Sequence, residues 1–251
     1  MIKYCKRCCL PSTKPHLSFD EEGICNACRN YENRKSVDWD ERKAELMEIL
    51  DRYRSKDHSN WDCIIPVSGG KDSTAMLVRM IEMGMPIDDI VFINVMATPD
   101  MGAEFPEMYE YLKKVERYIQ RKITIVPSAI SFDEGFHQKY LSGKRAGCIY
   151  GYPLMIGAWC NDRLKLRAIN RHYKSYGDHI RYLGLAADEP ERLARLKPNC
   201  RAPLAEWGMT EKDCIAYLEK RDLLNPLYQK FKRLGCFFCP KQSLSSLRIV
   251  R

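Results

Sequence analysis

The sequence predicts an α/β protein in which a doubly wound parallel sheet follows a small cysteine-rich unit. Three observations support this prediction. From about residue 60 onward, apolar stretches of strand length alternate with helical patterns, as in a parallel sheet with helices on both faces. One predicted strand runs directly into two adjacent glycines and then a helix. Two Cys-x-x-Cys pairs lie near the N-terminus.

Residues 1–35 form the first of three predicted segments and resemble a zinc ribbon in their spacing. The pairs Cys5/Cys8 and Cys25/Cys28 are separated by 16 residues that include turn-forming prolines and a glycine. Four thiolates at this spacing are typical of a structural zinc site, because about 30 residues bury too little apolar surface to fold without one. An iron–sulfur or redox knuckle is the alternative interpretation.

The second and third segments are a linker helix within residues 36–59 and a main domain over 60–251. A charged helix over 38–57 has one apolar side, made of Trp39, Ala44, Leu46, Met47, Ile49 and Leu50. In the main domain we predict strands at 62–67, 89–96, 122–126 and 180–186, and helices at 73–83, 104–119, 131–141, 153–174 and 210–221. Ligands of such sheets bind at the carboxyl ends of the strands, near the point where strand order reverses.

The first strand of the main domain ends in the most informative run of the chain, Ser68-Gly69-Gly70-Lys71-Asp72-Ser73. Adjacent glycines allow backbone N–H groups and the N-terminus of the next helix to converge on an anion. The two serine hydroxyls add donors, and Lys71 adds a positive charge. Asp72 is a candidate Mg²⁺ contact, directly or through water. The alternative is an ordinary glycine turn.

This run does not match the kinase and GTPase phosphate loop, which requires a glycine where Ile65 stands and a Ser or Thr where Asp72 stands. It resembles the pyrophosphate loop, S-G-G-x-D-S, of the ATP pyrophosphatase superfamily. The resemblance implies an adenine nucleotide alpha hydrolase-like, Rossmann-like fold with ATP and Mg²⁺ as cofactors. It also implies a reaction in which ATP is split between its α- and β-phosphates and AMP is placed on a substrate oxygen. Residues 68–73 would bind ATP and pyrophosphate, with Lys71, Asp72 and Ser73 as the catalytic set.

From Cys63 onward the chain is similar to the phosphoadenosine phosphosulfate reductase-like branch of this superfamily. Short tags in a fixed order carry the resemblance: Glu104–Glu107, Cys160–Leu166, Gly184–Glu189, Arg201–Leu204, Trp207, Asn225–Tyr228 and Gly235–Cys239. The cysteine-rich segment, with Leu10-Pro11 and Phe19–Gly23, instead resembles the front of N-acetyl-sugar amidotransferases. Two departures matter. The loop Thr98–Ala103 replaces the usual Asp-Thr-Gly, and Lys241–Arg251 lacks the redox cysteine of sulfonucleotide reductases.

Two pairs of charged residues are further candidate ligands. Asp188 and Glu189 follow a predicted strand and are candidates for a ribose, a base amine or a metal, unless they only cap the next helix. Arg163 and Arg167 lie four residues apart on a predicted helix and are candidates for phosphate or a polyanion, unless they form a plain solvated face.

The charge distribution also favours an anionic ligand. The net charge is +8, and residues 160–251 carry 19 Lys/Arg against 10 Asp/Glu, which is a surplus of nine. A basic half favours a polyanionic partner such as a nucleotide or RNA, although it is also compatible with a plain soluble surface. We expect a cytoplasmic protein with no membrane partner, because neither a signal peptide nor a long apolar run is present.

A third Cys-x-x-Cys, Cys236 with Cys239, predicts a second metal site together with Cys160. Such cysteines ligate either a [4Fe–4S] cluster or zinc, and the sequence does not choose between them. Cluster-bearing relatives place cysteines near the position of Cys160, so the resemblance implies the same role here. The fourth ligand would be Cys200 or Cys148, or an iron would keep an open position. A buried apolar turn is the alternative.

We expect an ATP-dependent enzyme that adenylates a carbonyl oxygen and then transfers sulfur to a base or small molecule. An N-acetyl-sugar amidotransferase that uses ammonia is one alternative. A sulfonucleotide reductase-like enzyme and a non-catalytic nucleic-acid-binding zinc ribbon are two others. A separate protein that donates sulfur or ammonia is a possible partner of the enzyme.

Overall fold

The computed structural model describes residues 2–35, 38–53, 63–85, 87–154, 158–174, 176 and 179–250. The chain divides into two compact units, Met1–Met47 and Glu48–Arg251. Among the described residues, no helix is both long and apolar enough to cross a bilayer.

The first unit is organised around cysteines rather than around a large apolar core. Isolated bridges join Tyr4 to Pro11 and Phe19 to Cys25, so the two cysteine pairs are carried on short paired loops. Helix α1, Asn26–Lys35, follows the second pair. Helix α2, Trp39–Tyr53, matches the predicted linker helix and runs across the boundary between the units. Residues 54–57 of that prediction lie outside the described residues.

The second unit contains the parallel sheet that the sequence predicts. Its strands and one small antiparallel pair are β1 (Cys63–Val67), β2 (Asp89–Asn94), β3 (Met96–Thr98), β4 (Met101–Gly102), β5 (Thr124–Pro127), β6 (Ile180–Tyr182) and β7 (Cys200–Arg201). The main sheet has the order β5-β2-β1-β6-β7, and every neighbouring pair is parallel. Strands β3 and β4 pair only with each other. The predicted doubly wound α/β class is confirmed.

The register of the central strands explains why their sequences are almost wholly apolar. Ile64 pairs with Asp89 and Ile65 with Ile90, and both isoleucines of β1 are fully buried. Strands covered on both faces read as continuous apolar runs. On one face, Ile64 and Val91 form a cluster with Tyr173, which lies on a helix that precedes β6.

The helices of the second unit connect these strands. They are α3 (Lys71–Glu82), α4 (Pro106–Ile119), α5 (Phe132–His137), a π-helix (Asn161–Leu166), α6 (Arg167–Tyr173), α7 (Pro190–Leu193), α8 (Pro203–Glu206), α9 (Glu211–Glu219), a 3₁₀ helix (Pro226–Gln229) and α10 (Leu244–Val250). Ser131 is the N-cap residue of α5 and Thr210 is the N-cap residue of α9. Each forms a reciprocal capping box, which fixes where its helix starts.

Three predicted elements are shorter than expected. The strand predicted at 180–186 ends at Tyr182, because the chain leaves the sheet to pack against the glycine loop. The helix predicted at 131–141 ends at His137, since Gln138 adopts an extended backbone conformation. The helix predicted at 153–174 is a π-helix followed by α6, and residues 155–157 lie outside the described part of the chain.

Candidate functional site

The glycine loop lies at the carboxyl end of β1, where the strand order reverses between β2 and β6. Gly69 has a φ of 72°, a backbone conformation that residues with a Cβ rarely adopt. A Cβ at this position would also overlap the side chain of Met108 on α4. Gly70 is the N-cap of α3, in an extended conformation with no side-chain cap, so the first N–H groups of the helix have no partner within the helix.

Two serine hydroxyls hold the loop closed on itself. The Ser68 N–H donates to Ser73 Oγ at 3.1 Å, and the two hydroxyl oxygens lie 3.0 Å apart. Ser73 Oγ also donates to the Gly70 carbonyl at 3.2 Å. Both hydroxyls are therefore positioned at the start of α3 and can turn toward an anion bound there.

Lys71 and Asp72 form the charged part of the site, together with Glu211 from α9. Lys71 Nζ lies 3.0 Å from Asp72 Oδ2 and 3.0 Å from Glu211 Oε2. Burial alone would lower the pKa of the Lys71 ammonium, but the Glu211 and Asp72 carboxylates raise it above its ordinary value. The lysine is therefore held as a cation between two carboxylates.

Asp72 has unused bonding capacity. Burial raises the pKa of its carboxyl, Lys71 opposes this effect, and the carboxylates of Glu211 and Glu189 add to it. Its Oδ1 is buried and has no hydrogen-bond partner. A buried, unpartnered carboxylate oxygen beside a phosphate-type loop suits a divalent cation, which prefers one or two carboxylates plus phosphate oxygens.

The loop is supported from a distant part of the chain. Asn225 Nδ2 donates to the Gly69 carbonyl at 3.0 Å, and Asn225 itself is buried. The Lys71 N–H donates to the Tyr228 hydroxyl at 2.9 Å. Both supporting residues belong to the segment that forms the 3₁₀ helix and its cap.

The segment after β6 closes the other side of the loop. A Cβ on Gly184 would lie 2.7 Å from both Cα and N of Ser73, so only glycine allows this close approach. Asp188 Oδ1 accepts the Glu211 N–H at 3.1 Å at the start of α9. Glu189 accepts the Ala186 N–H at 3.3 Å and pairs with Arg192. Both candidate carboxylates thus lie near the loop with partners inside the protein.

The first unit holds a separate cluster made of Cys5, Cys8, Cys25 and Cys28. Their sulfur atoms all lie within 4.8 Å of one another, which is the one such group of potential ligands among the described residues. Cys5 and Cys28 Sγ are 4.0 Å apart, and Cys8 and Cys25 Sγ are 3.5 Å apart. Metal–sulfur bonds of about 2.3 Å in a tetrahedron place the sulfurs about 3.8 Å apart. The donor set fits a single tetrahedral metal ion.

One thiol of this cluster, that of Cys5, has a lowered pKa. Burial raises the pKa of Cys5, but backbone N–H groups of Cys8, Arg7 and Cys25 outweigh it and lower the pKa to about 6. The N–H groups of Arg7 and Cys25 lie 3.4 and 3.2 Å from Cys5 Sγ. N–H donors to a metal-bound thiolate are the common outer support of such sites.

The predicted second cysteine set lines one pocket of the second unit. Cys160, Cys236 and Cys239 all border this pocket. At least one of their sulfur separations exceeds 4.8 Å, since they do not form a group as tight as the first cluster. A single tetrahedral ion holds its sulfurs about 3.8 Å apart, so these three thiols suit such an ion less well than the first cluster does. A cluster takes thiolates that lie further apart, because its metal atoms occupy several corners.

A buried carboxyl, that of Glu104, and a half-buried ammonium, that of Lys165, lie beside these thiols. Cys236 Sγ donates to Glu104 Oε1 at 3.7 Å, while Glu104 Oε2 is buried without a partner. Burial raises the pKa of the Glu104 carboxyl and raises that of the Cys236 thiol to about 12. Burial would lower the pKa of Lys165, but Cys236, Glu104 and the other two thiols raise it. The pocket is therefore a buried, mixed-charge site rich in sulfur.

The remaining predicted residues lie elsewhere. Cys200 is on β7 and lines a different pocket from the other three thiols, and Cys148 is exposed. Arg163 donates to Gln138 Oε1 at 2.8 Å and lies over the Tyr150 ring, so its guanidinium is used inside the protein. Arg167 is exposed and pairs with Asp162 at 3.1 Å. A role of either arginine toward a polyanion stays a prediction.

A comparison of the sequence with known protein families agrees with the geometry of this site. The profile of the phosphoadenosine phosphosulfate reductase domain matches residues 62–242. The chain belongs to this family. The matched region contains the glycine loop and the cysteine pocket and excludes the N-terminal cysteine cluster. Membership of this family indicates an enzyme of the pyrophosphate-loop type that uses a nucleotide.

Three curated relatives cover most of this phosphoadenosine phosphosulfate reductase-like chain. A nin region protein of Escherichia phage lambda is 28% identical over 209 residues, which are 74% of this chain and 68% of the phage protein. Two proteins of Methanocaldococcus jannaschii are 28% and 25% identical over 75% and 79% of this chain. The chain spans less than half the length of these archaeal proteins, 38% and 46%.

Two solved structures are similar to this chain at low identity. A phosphoadenylyl-sulfate reductase from Candida auris, in complex with phosphate, is 15% identical with a TM-score of 0.44, covering 88% of this chain and 98% of that chain. A tRNA thiolase from Methanococcus maripaludis with its [4Fe–4S] cluster is 16% identical with a TM-score of 0.43, covering 100% and 80%.

Several residues of this reductase-like site are not evident as site residues in the sequence. Glu211 follows Lys71 by 140 positions, and its only local signal is its place after the capping residue Thr210. Asn225 and Tyr228 belong to a recognisable family tag, although nothing in the tag states that it holds the loop. Lys165 lies inside another tag and reads as one more basic residue on a helix. Only the fold brings these side chains to the site.

Proposed function

We propose that the protein adenylates a carbonyl oxygen with ATP and then replaces that oxygen with sulfur. One observation carries the proposal. Glu104 and Met108, only four residues apart, contact the cysteine pocket and the glycine loop respectively. The place that suits a departing pyrophosphate and the place that holds three thiols are therefore neighbours at the same edge of the sheet.

The first step is the transfer of AMP. The carbonyl oxygen of the substrate attacks the α-phosphorus of ATP, the bond from that phosphorus to the bridging oxygen breaks, and pyrophosphate leaves. The N–H groups at the start of α3, the hydroxyls of Ser68 and Ser73, and Lys71 stabilise the charge that develops on the leaving group. Asp72 would hold Mg²⁺ against the same phosphates through its unpartnered Oδ1.

The second step is the transfer of sulfur. Hydrosulfide attacks the activated carbon, the carbon–oxygen bond to AMP breaks, and AMP leaves with the former carbonyl oxygen. A carbon–sulfur double bond remains, and one proton is released, so the step needs no oxidant or reductant. Cys160, Cys236 and Cys239 would hold a [4Fe–4S] cluster, which supplies an iron that binds hydrosulfide. Lys165 provides a half-buried positive charge for that anion.

The four N-terminal cysteines would hold Zn²⁺ in a structural role. Four thiolates complete a tetrahedral site and leave no position for a substrate, so this metal would maintain the first unit rather than take part in the chemistry.

The position of ATP cleavage tests the first step. The purified protein is incubated with ATP and Mg²⁺, and the products are separated by chromatography. Because no substrate is present, water takes the place of the carbonyl oxygen, and we expect slow formation of AMP and pyrophosphate. Lys71→Ala and Asp72→Ala should abolish their formation while circular dichroism shows an intact fold. Formation of ADP and phosphate, or unchanged turnover in both variants, would overturn the assignment of the loop.

Metal analysis tests the sulfur step. Protein purified without oxygen is analysed for iron, sulfide and zinc, and its visible spectrum is recorded. We expect iron and sulfide together with a broad band near ~400 nm, and loss of both in Cys160→Ala and Cys239→Ala. Cys200→Ala is the matched control, because Cys200 lines a different pocket. A protein that contains zinc alone would contradict the sulfur step and favour transfer of ammonia.

A further inference from the structure

One surface segment of the second unit is not used by the proposed mechanism. Residues 138–154, called the tyrosine loop below, leave α5 and run to a point just before Cys160. The Tyr150 N–H donates to the Gln138 carbonyl at 2.7 Å, and the Tyr140 N–H donates to the Cys148 carbonyl at 2.9 Å. These bonds close the segment into a hairpin whose tip, residues 141–149, is exposed.

The charge of the tyrosine loop is entirely positive. It contains Lys139, Lys144 and Arg145 and no acidic residue. All three side chains are exposed, and within the described part of the chain none of them forms an ion pair with a carboxylate. The loop therefore offers unneutralised positive charge to an outside anion.

The apolar surface of the same loop is also unusual. Leu141 is 96% exposed, Ile149 is 48% exposed and Tyr152 is 49% exposed. The Tyr140 and Tyr150 rings pack edge to face, with centroids 4.4 Å apart, beside these residues. A surface that combines cations lacking carboxylate partners with one exposed ring and exposed aliphatic groups matches a ligand that carries both phosphates and flat apolar faces.

The tyrosine loop is attached directly to the wall of the cysteine pocket. The Tyr152 hydroxyl donates to the carbonyl of Phe238, between the two cysteines of the Cys-x-x-Cys pair. Trp159, which precedes Cys160, donates its indole N–H to the Gly151 carbonyl at 3.0 Å. A ligand lying on the loop would therefore extend toward the three thiols.

We propose that the tyrosine loop binds single-stranded nucleic acid and presents one of its bases to the cysteine pocket. The binding statement stands on the loop alone, and the presentation of a base rests on the proposed function. The cations would contact the phosphate backbone, and the exposed Tyr152 ring and aliphatic side chains would pack against unpaired bases. A lipid surface suits the loop less well, since Lys144 and Arg145 occupy its tip, where insertion would require apolar residues.

Fluorescence anisotropy tests the binding. Fluorescein-labelled RNA and DNA single strands of mixed sequence, about 12 nucleotides long, are titrated with the full-length protein, and a duplex of equal length is titrated in parallel. We expect single strands to bind more tightly than the duplex, and the RNA and DNA results show which sugar is preferred. Three phosphate contacts predict a slope of about −2 when log K is plotted against log salt concentration.

Charge-reversed variants locate the binding surface. Lys144→Glu with Arg145→Glu should weaken single-strand binding by about tenfold or more and reduce the salt slope. Arg117→Glu with Lys122→Glu is the matched control, because it changes the net charge equally at exposed positions near the amino end of β5. The Lys144→Ala with Arg145→Ala pair is a milder variant whose fold is checked by circular dichroism. It replaces the charge-reversed pair if that pair does not fold.

Equal binding by the tip variants and the wild type would overturn the proposal, as would binding to anionic phospholipid vesicles with none to either single strand. AMP formation is measured on the same wild-type preparation in the presence of sulfide, with and without the single strand. If AMP forms in neither case while strands still bind through the tip, the proposed function fails and the binding surface stands. If AMP forms and no strand binds, the proposed binding surface fails and the proposed function stands.

Discussion

Asp72 shows most directly how one residue is placed for function at the expense of stability. Its carboxylate is largely buried, one oxygen has no partner, and burial raises its pKa. A carboxyl whose pKa is raised on folding binds its proton more tightly in the folded state, so its ionisation destabilises the fold as pH rises above the ordinary value of 3.8. Metal and phosphate would offset this cost only when nucleotide binds.

The first prediction concerns this residue. Asp72→Asn should unfold at a higher urea concentration than the wild type at pH 7, because the variant carries no buried negative charge at this position. It should also form AMP at least about a hundredfold more slowly, since the Mg²⁺ contact is lost. Asp222→Asn, at an exposed position with a φ of 53° that Asn tolerates, should change neither value. A variant that is less stable than the wild type would contradict this interpretation.

The second prediction concerns Gly184, whose role is purely steric. The added methyl group of Gly184→Ala would lie 2.7 Å from the backbone of Ser73, which cannot move without displacing the loop. We expect an ATP affinity about tenfold lower by calorimetry with a non-hydrolysable analogue. Gly84→Ala is the comparison, because φ there is 71° and no atom lies within 4 Å of the new Cβ. It should cost about 1 kcal/mol of stability and leave the ATP affinity unchanged.

At the scale of elements, the sequence predicts what local chemistry determines. The strand that becomes β1 is a short apolar run before two glycines, and helix α4 has an amphipathic pattern with Pro106 in its first turn. The prediction fails where the end of an element is set by a distant partner. Residues 183–186 are apolar enough to continue β6, but Gly184 must leave the sheet to reach Ser73. The hairpin of residues 138–154 has no apolar periodicity, and its backbone hydrogen bonds define it.

The third prediction concerns the 3₁₀ helix as a support for the loop. Asn225→Ala removes the donor to the Gly69 carbonyl and the acceptor of the Leu227 N–H, both buried, at a cost of about 1–3 kcal/mol. Asn225→Asp restores the acceptor and leaves an oxygen facing the Gly69 carbonyl. Both variants should bind ATP more weakly. Asn170→Ala, which removes an exposed contact to Arg181, serves as the control in the same calorimetric assay.

The fourth prediction concerns Glu82 at the end of α3, which is held by Arg221 just after α9 and by Tyr118 on α4. Glu82, at the end of α3, accepts from Arg221 Nε at 2.7 Å and Nη2 at 2.8 Å and from the Tyr118 hydroxyl at 2.8 Å. These bonds, chiefly those from Arg221, lower the pKa of Glu82 to about 2. A carboxyl with a lowered pKa stabilises the fold above its unfolded value of 4.5, and this contribution is lost as pH falls toward 2.

Glu82→Gln should therefore be less stable than the wild type at pH 7, and the difference should shrink progressively below about pH 4.5. Urea unfolding at several pH values measures this difference in stability. Glu110→Gln, which removes an exposed contact to Lys113 within α4, should show only a small difference at every pH. A Glu82→Gln difference that stays constant down to pH 3 would exclude an electrostatic origin.

At the scale of the whole molecule, the two predicted metal-binding regions differ in how far sequence alone determines them. The first cluster is formed by two Cys-x-x-Cys pairs close in sequence, and all four predicted cysteines meet. The second draws on Cys160 and Cys236, 76 positions apart, and the buried Glu104 and half-buried Lys165 beside them could not be found by spacing. Local motifs are predictable, whereas the charges around a site built across the sheet depend on the completed fold.

The last prediction follows from the division of the chain into two units. Every residue of the glycine loop, its supports and the cysteine pocket belongs to Glu48–Arg251, whereas the four-cysteine cluster belongs to Met1–Met47. If the cluster is a structural zinc site, Cys8→Ser with Cys28→Ser should lose about one equivalent of zinc, and the first unit should become sensitive to proteases. Metal analysis and limited proteolysis of the full chain measure both effects.

In the same variant, the rate of AMP formation should stay within about twofold of the wild type, because no group that contacts ATP has been changed. Cys9→Ser is the matched control, since Cys9 is exposed and adjoins the cluster without belonging to it. It should keep its zinc and resist proteolysis. Loss of AMP formation in the double variant, but not in Cys9→Ser, would show that the zinc unit takes part in the reaction, and the structural role proposed for it would have to be abandoned.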